Sequence, residues 1–124
     1  MGLQITHLGS GSRGNSTLLE SNSCKVLIDC GFSLKQTEKR LSTIKIKPSS
    51  IDAIFITHHH GDHSKSALKA SQKWSSNLYC NIETAIKMGW NPISDCRTFG
   101  NLEPVSYTHL RAHETSLHLV CRLL

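Results

Sequence analysis

Alternating polar and apolar residues, together with short apolar runs, predict that strands form much of this chain. The run AIFIT is nearly continuous, which is typical of a strand buried on both faces. The other segments alternate with the period of a half-buried strand, and polar residues 21–23 separate two of them as a hairpin turn would. The predicted strands are residues 2–8 (around LQITHL), STLLE (16–20), CKVLID (24–29), AIFIT (53–57) and LYC (78–80).

Three other segments have apolar residues at helical spacing. The first begins at Ser33, whose spacing to Gln36 is that of a capping box, and residues 47–50 (KPSS) end it. The second runs from about residue 64 to 74, and the third spans 81–88 with an asparagine at its start and a glycine after its end. Strands that alternate with helices predict a layered α/β (α+β) fold.

Composition narrows the class of protein. The chain has 124 residues, 38% apolar and 19% charged, as expected of one modest globular domain. It shows no apolar run long enough to span a membrane and no signal peptide, and its five cysteines include no CxxC pair. We therefore expect a cytoplasmic protein with reduced thiols and no membrane contact. The net charge of +5 permits anionic substrates such as phosphodiesters but identifies none.

The segment THHHGDHS (57–64) concentrates potential metal ligands directly after the AIFIT strand. In extended geometry His58 and His60 project to one side and His59 to the other. Asp62 and His63 follow, where the chain turns into the second helix. Imidazole nitrogens suit Zn²⁺ or a similar ion, and a carboxylate adds a hard oxygen donor. Two donors from one side and two after the glycine could serve two adjacent ions that together activate water.

The spacing of these residues matches the HxHxDH signature of the metallo-β-lactamase superfamily. The chain resembles this superfamily over essentially all of residues 1–104, through LGSGSRGNSTLLE, VLIDCG, SLKQTEKRL and IDAIFITHHHGDHS. Within it, the chain looks like a bacterial branch of phosphodiesterases or exonucleases encoded beside cell-wall two-component regulators. The resemblance implies the N-terminal half of a four-layer αββα sandwich.

The same resemblance implies roles for individual residues. His58 and His60 would bind the first of two divalent ions, and Asp62 and His63 the second; zinc is expected, with manganese or iron as alternatives. Asp62 would also orient the attacking water, while Asp29 would lie beside the site and support it through hydrogen bonds. The expected function is a metal-dependent hydrolase, with nucleic acid or another phosphodiester as substrate. The alternatives are a metal- or nucleic-acid-binding module without catalysis, and a hydrolase of esters, thioesters or lactones.

The final twenty residues, 105–124, differ in character and carry three of the eight histidines. Residues 105–114 can be spelled GTC TCT TAT ACA CAT CTC CGA GCC CAC GAG, which resembles a transposon adapter used in short-read sequencing. Residues 119–124 can be spelled as the other end of that adapter. We interpret 105–124 as a translated adapter and 1–104 as a partial domain, interrupted near Glu103 or Pro104. The alternative is a genuine C-terminal strand in which His109 and His113 act as ligands.

This interpretation bears on activity, because the superfamily's third histidine for the first metal, its bridging aspartate and its final histidine would all lie downstream. The chain as written is therefore expected to be inactive.

Two weaker signals have ordinary explanations. The glycines of Gly9-x-Gly11-x-x-Gly14 match a dinucleotide-binding fingerprint, but a strand follows them where that fingerprint requires a helix. Basic residues around the first helix are expected to form a solvated face, or alternatively to contact a nucleic-acid backbone; they are Lys35, Lys39, Arg40, Lys45 and Lys47.

Overall fold

The computed structural model describes residues 3–9, 14–57, 64 and 66–98. The strands of this part are β1 (Gln4–Gly9), β2 (Ser16–Glu20), β3 (Lys25–Ile28), β4 (Ala53–Phe55), β5 (Asn77–Cys80) and β6 (Arg97–Thr98). The helices are α1 (Leu34–Thr43), α2 (Ala67–Trp74) and α3 (Ile82–Met88), with a short 3-10 turn at Pro48–Ser50. Every predicted strand and helix is present. Strand β6 was not predicted, because two exposed residues are too few to show alternation.

The described strands form one sheet in the order β1-β2-β3-β4-β5-β6. Strands β1, β2 and β3 pair antiparallel, and from β3 onwards each strand pairs parallel to the next. Parallel neighbours need a crossover connection, which α1, α2 and α3 supply in turn. The carboxyl ends of β3 and β4 consequently lie side by side at one edge of the sheet.

The main core lies between this sheet and the helices. Leu18, Leu27, Ile54 and Leu78 are paired across four neighbouring strands and are at most 2% exposed. The side chains that cover them include Leu41, Ala70, Trp74 and Ala85. A second cluster lies on the opposite face, where the rings of Phe55 and Tyr79 stack with their centroids 4.7 Å apart. Apolar clusters on both faces confirm that the AIFIT strand is buried on both sides.

Capping side chains place the ends of two helices as the sequence predicts. The Ser33 hydroxyl accepts a hydrogen bond from the Gln36 N–H (3.2 Å) at the start of α1. The Asn81 side chain accepts one from the Thr84 N–H (2.8 Å) at the start of α3. Gly89 follows α3 in the left-handed conformation, with φ of 74°. Each cap satisfies a backbone group that the helix end leaves without a partner.

Three of the cysteines match the prediction of reduced thiols, because Cys30, Cys80 and Cys96 are free and buried. Cys24 is disulfide-bonded, so the prediction is wrong at that position.

Trp74 packs in the core and donates its indole N–H to Glu38 (2.9 Å). None of the helices in the described ranges is long and apolar enough to cross a membrane.

Candidate functional site

The candidate site begins at Asp29, which directly follows β3. Its backbone turns sharply, with φ of 65°, and its N–H donates to the Phe55 carbonyl of β4 (2.6 Å). Its carbonyl accepts a hydrogen bond from the Ser16 hydroxyl of β2 (2.9 Å). Asp29 is only 7% exposed. Contacts to both neighbouring strands therefore hold this turned residue at the edge of the sheet.

The Asp29 carboxylate binds the residue that enters the histidine-rich segment. Its Oδ1 accepts the Thr57 N–H at 2.8 Å, and the Thr57 hydroxyl lies 2.8 Å from both carboxylate oxygens. Thr57 immediately precedes His58 in the chain. The carboxylate therefore fixes both the backbone and the side chain at the point where the predicted ligands begin.

The predicted ligands His58, His60, Asp62 and His63 lie outside the residues that the structure describes. The same holds for 10–13 and for the segment 105–124. Within the described ranges, no three His, Cys, Asp or Glu side chains converge in a way that could hold an ion. The described structure thus shows what surrounds the histidine-rich segment, and Asp29 is the predicted site residue that it places.

The chain that leaves the histidine-rich segment is also anchored. The Ser66 N–H donates to the Cys30 carbonyl (3.2 Å), and the Ser66 hydroxyl donates to the Phe32 carbonyl (2.7 Å). The Ser64 side chain is fully buried and its hydroxyl donates to the Met88 sulfur (3.5 Å). Residues 29–32 therefore hold the chain on both sides of 58–63, through Thr57 before it and Ser66 after it.

Phe32, in the turn of residues 29–32, packs against two glycines near the N-terminus, Gly9 and Gly14. A Cβ added to Gly9 would overlap the Phe32 ring, and one added to Gly14 would lie 2.7 Å from it. The Arg40 guanidinium covers this ring at 4.0 Å from its centroid, and Arg40 Nη1 donates to the Leu8 carbonyl (2.6 Å). These two glycines are needed because an aromatic ring packs directly against their backbone. A strand follows them, β2, as predicted.

Sequence reasoning missed several of these contacts. Arg40 was assigned to a solvated basic face, which is wrong, because it packs on Phe32 and bonds to the backbone of β1. The lysines of that cluster are exposed as expected. Thr57 could have been found as a hydroxyl next to the ligand run. Nothing in the local pattern marks Phe32 or Ser66, since their partners are distant in sequence.

Cys30 lies next to Asp29 but is not suited to act as a nucleophile. Burial raises the pKa of its thiol, which outweighs the opposing effect of its hydrogen-bond contacts with Ser66 and Thr37. A cysteine that acts as a nucleophile at neutral pH generally has a lowered pKa and some access to solvent. Cys30 is fully buried, so it serves as a packing residue at this turn.

Comparison with known proteins extends this picture. A family model described as the metallo-beta-lactamase superfamily matches residues 9–113. The exodeoxyribonuclease WalJ of Streptococcus pneumoniae is 35% identical over 103 residues, which are 83% of this chain and 36% of that protein. The exodeoxyribonuclease YycJ of Bacillus anthracis is 29% identical over 124 aligned residues, covering 86% of this chain and 45% of that protein. The chain thus spans less than half the length of these relatives.

Solved structures share the fold at lower identity. The subclass B3 metallo-beta-lactamase MEM-A1, from a soil metagenome library, superposes with a TM-score of 0.63 at 16% identity, over 77% of this chain and 42% of that one. The chemotaxis sensor ODP, solved as a peroxy diiron species, gives 0.61 at 20% identity, over 81% and 42%. These matches confirm the predicted α/β fold and its assignment to the N-terminal half of the sandwich.

Proposed function

The chain belongs to the metallo-β-lactamase superfamily, and from this premise we propose that it supplies half of the active site of a metal-dependent nuclease. The observation that carries the proposal is the anchoring of the histidine-rich segment. Residues on either side of 58–63 are bound to one rigid turn, the entry by the Asp29 carboxylate and the exit through Ser66. A metal site requires its ligands to be held in place, and hydrogen bonds around the ligands commonly provide this.

The donor set of the segment fits a pair of divalent ions. His58 and His60 would hold the first ion, and Asp62 and His63 the second, a mixed nitrogen and oxygen set that suits zinc. Manganese or iron are the alternatives, and the diiron form of the chemotaxis sensor ODP supports iron. When bound, such ions activate water and stabilise the charge that develops on the attacking and leaving oxygens.

The residues of this chain would position that chemistry. Asp29 holds Thr57, and through it the start of the ligand run, while its own burial keeps bulk water away from the hydrogen bonds. Asp62 would hold the second ion and orient the nucleophile. Because its carboxylate is bonded to the N–H and hydroxyl of Thr57, Asp29 would act as a positioning residue.

DNA is the substrate that we propose. Two relatives that match over more than four fifths of this chain carry the name exodeoxyribonuclease. A net positive charge of +5 is compatible with a polyanionic substrate. Exposed lysines of the α1 region, namely Lys35, Lys39, Lys45 and Lys47, would be available for phosphate contacts.

We further propose that the 124-residue chain is inactive by itself. Two protein ligands per ion are fewer than the three, plus water, that are usual in catalytic zinc sites. If 105–124 is translated adapter, the gene at the source locus continues in frame beyond about codon 104 and encodes two further histidines and an aspartate as ligands. Sequencing that locus tests this, and continuous coding DNA for residues 105–124 would contradict it.

The protein encoded by the uninterrupted gene is the material for the decisive experiment. It is purified without chelators, its metal content is measured by mass spectrometry, and its activity is measured on end-labelled DNA. We expect roughly two transition ions per chain and DNA degradation that stops when a chelator removes them. His58→Ala and Asp62→Asn should lose metal and activity.

His59→Ala is the matched control, since it changes the same residue type one position along and is expected to point away from the site. Binding of metal without turnover would favour the non-catalytic module. Turnover of thioesters or lactones but not DNA would favour the other hydrolases. A full-length protein free of transition ions, or one unaffected by His58→Ala, would refute the proposal.

A further inference from the structure

A pair of cysteines lies away from the candidate site. Cys80 ends β5, and Cys96 directly precedes β6, the neighbouring strand. Their sulfur atoms are 3.7 Å apart, and Cys80 donates its S–H to Cys96. Both residues are free thiols, with Cys80 fully buried and Cys96 5% exposed. No role in metal binding or in the positioning of 58–63 accounts for this contact.

The two thiols differ in their surroundings. Cys96 lines a surface groove of about 440 Å³, together with Ser75, Asp95 and Arg97, whereas Cys80 does not line it. Cys96 is therefore the residue of the pair that a small molecule in the groove would meet first. Cys80 lies behind it, with its S–H directed at the same sulfur. A cysteine at the wall of a groove with a second thiol enclosed behind it is the arrangement of an attacking and a resolving cysteine.

We propose that Cys80 and Cys96 form a reversible disulfide by exchange with a small-molecule disulfide, with Cys96 as the attacking residue. The Cys96 thiolate attacks one sulfur of glutathione disulfide, the bond between its two sulfurs breaks, and one glutathione leaves as a thiolate. The Cys80 thiolate then attacks the Cys96 sulfur of the mixed disulfide and releases the second glutathione. The protein loses two protons and two electrons, and glutathione disulfide is reduced to two thiols.

Burial makes this reaction slow at neutral pH. It raises the pKa of Cys80 to about 12, with the neighbouring Cys96 adding to the effect. Burial also raises the pKa of Cys96, and the Asp95 carboxylate adds to it, although the S–H of Cys80 opposes the shift. The thiolate is the reactive form, so slow exchange keeps the pair reduced unless an oxidant persists.

The disulfide would link the last residue of β5 to the residue before β6. It would thereby close the connection 80–96, which contains α3. Ile56, which follows β4, donates its N–H to the carbonyl of Tyr79 (2.9 Å), the residue before Cys80, and Thr57 follows Ile56 directly. The link would therefore involve the carboxyl end of β5, which neighbours that of β4. We expect it to raise the thermal midpoint of unfolding, Tm, by on the order of 5 °C. This proposal does not depend on the proposed function.

The test treats the full-length protein with glutathione disulfide at about pH 9, without denaturant, then alkylates free thiols and maps peptides by mass. The expected result is a Cys80–Cys96 linked peptide and release of two glutathione molecules per chain. Cys80→Ser should instead accumulate glutathione on Cys96, and Cys96→Ser should leave Cys80 unmodified. Cys30 is the internal control, because it is a fully buried free thiol whose sulfur hydrogen-bonds with the hydroxyls of Ser66 and Thr37.

Three outcomes would overturn the proposal. The first is a link that forms only in denaturant. The second is modification of Cys30 as fast as Cys96, which would indicate general unfolding. The third is glutathione on Cys80 in the Cys96→Ser protein, which would reverse the assigned order of attack. The wild-type mapping needs no variant, so a folding defect in either serine variant leaves the main result readable.

Discussion

Replacement of Asp29 separates two effects that act at one residue, its hydrogen bonds and its backbone conformation. The carboxylate receives the Thr57 N–H and hydroxyl at 2.8 Å, and the backbone has φ of 65°. Asp29→Ala removes the hydrogen bonds and leaves a residue that disfavours this conformation. Asp29→Gly removes the same bonds but adopts it freely. Asp29→Asn keeps one acceptor and tolerates the conformation.

The magnitudes follow from these contacts. A hydrogen bond to a charged group contributes about 1.5–3 kcal/mol, and the near-complete burial of Asp29 favours the upper part of that range. The left-handed conformation costs a non-glycine residue roughly 1–2 kcal/mol, offset by the ~0.4–1 kcal/mol that glycine loses through its flexible unfolded state. We expect Asp29→Ala to be less stable than Asp29→Gly by about 0.5–1 kcal/mol, the reverse of the usual order. Asp29→Asn should be the mildest of the three.

Equilibrium unfolding in urea, followed by tryptophan fluorescence, measures these differences in the full-length protein. A double-mutant cycle of Asp29→Gly with Thr57→Val isolates the contact between the two side chains, with an expected coupling of ~1 kcal/mol. Equal stability of the alanine and glycine variants would show that the backbone conformation carries no cost. A coupling within about 0.3 kcal/mol of zero would show that the carboxylate does not hold Thr57.

Two further predictions concern packing and pH. Gly9→Ala should destabilise the protein by about 1–3 kcal/mol in urea unfolding, because the new methyl group meets the Phe32 ring. Adding Phe32→Leu to the same chain should recover part of the lost stability. If it recovers none, the contact is contradicted. Hydrogen bonds from Trp74 and Lys73 lower the pKa of Glu38 in the folded protein. The ionised carboxylate therefore contributes its full stabilisation above the ordinary pKa of 4.5. This stabilisation is lost as the pH falls through the lower pKa of the folded state. Glu38→Gln should flatten the stability profile in that acidic range, and an unchanged profile would contradict the assignment.

The local pattern of polar and apolar residues was sufficient to predict most of the strands and helices. Alternation located β2 and β3, the near-continuous apolar run located β4, and capping side chains at Ser33 and Asn81 located the starts of two helices. These signals are local, because backbone geometry and burial impose a period on neighbouring residues. The ligand-rich run after β4 likewise indicated the superfamily, which the family model confirms. The ligand assignments of 58, 60, 62 and 63 stay predictions.

The environment of the site was decided by tertiary structure. The partner of Asp29 is 28 residues away at Thr57, and the ring that packs against Gly9 is that of Phe32. The contact of Cys80 with Cys96 depends on the parallel pairing of β5 with β6, a strand too short for any pattern to reveal. Such contacts follow from how strands are ordered and registered in the sheet, and a local sequence period carries no information about that order.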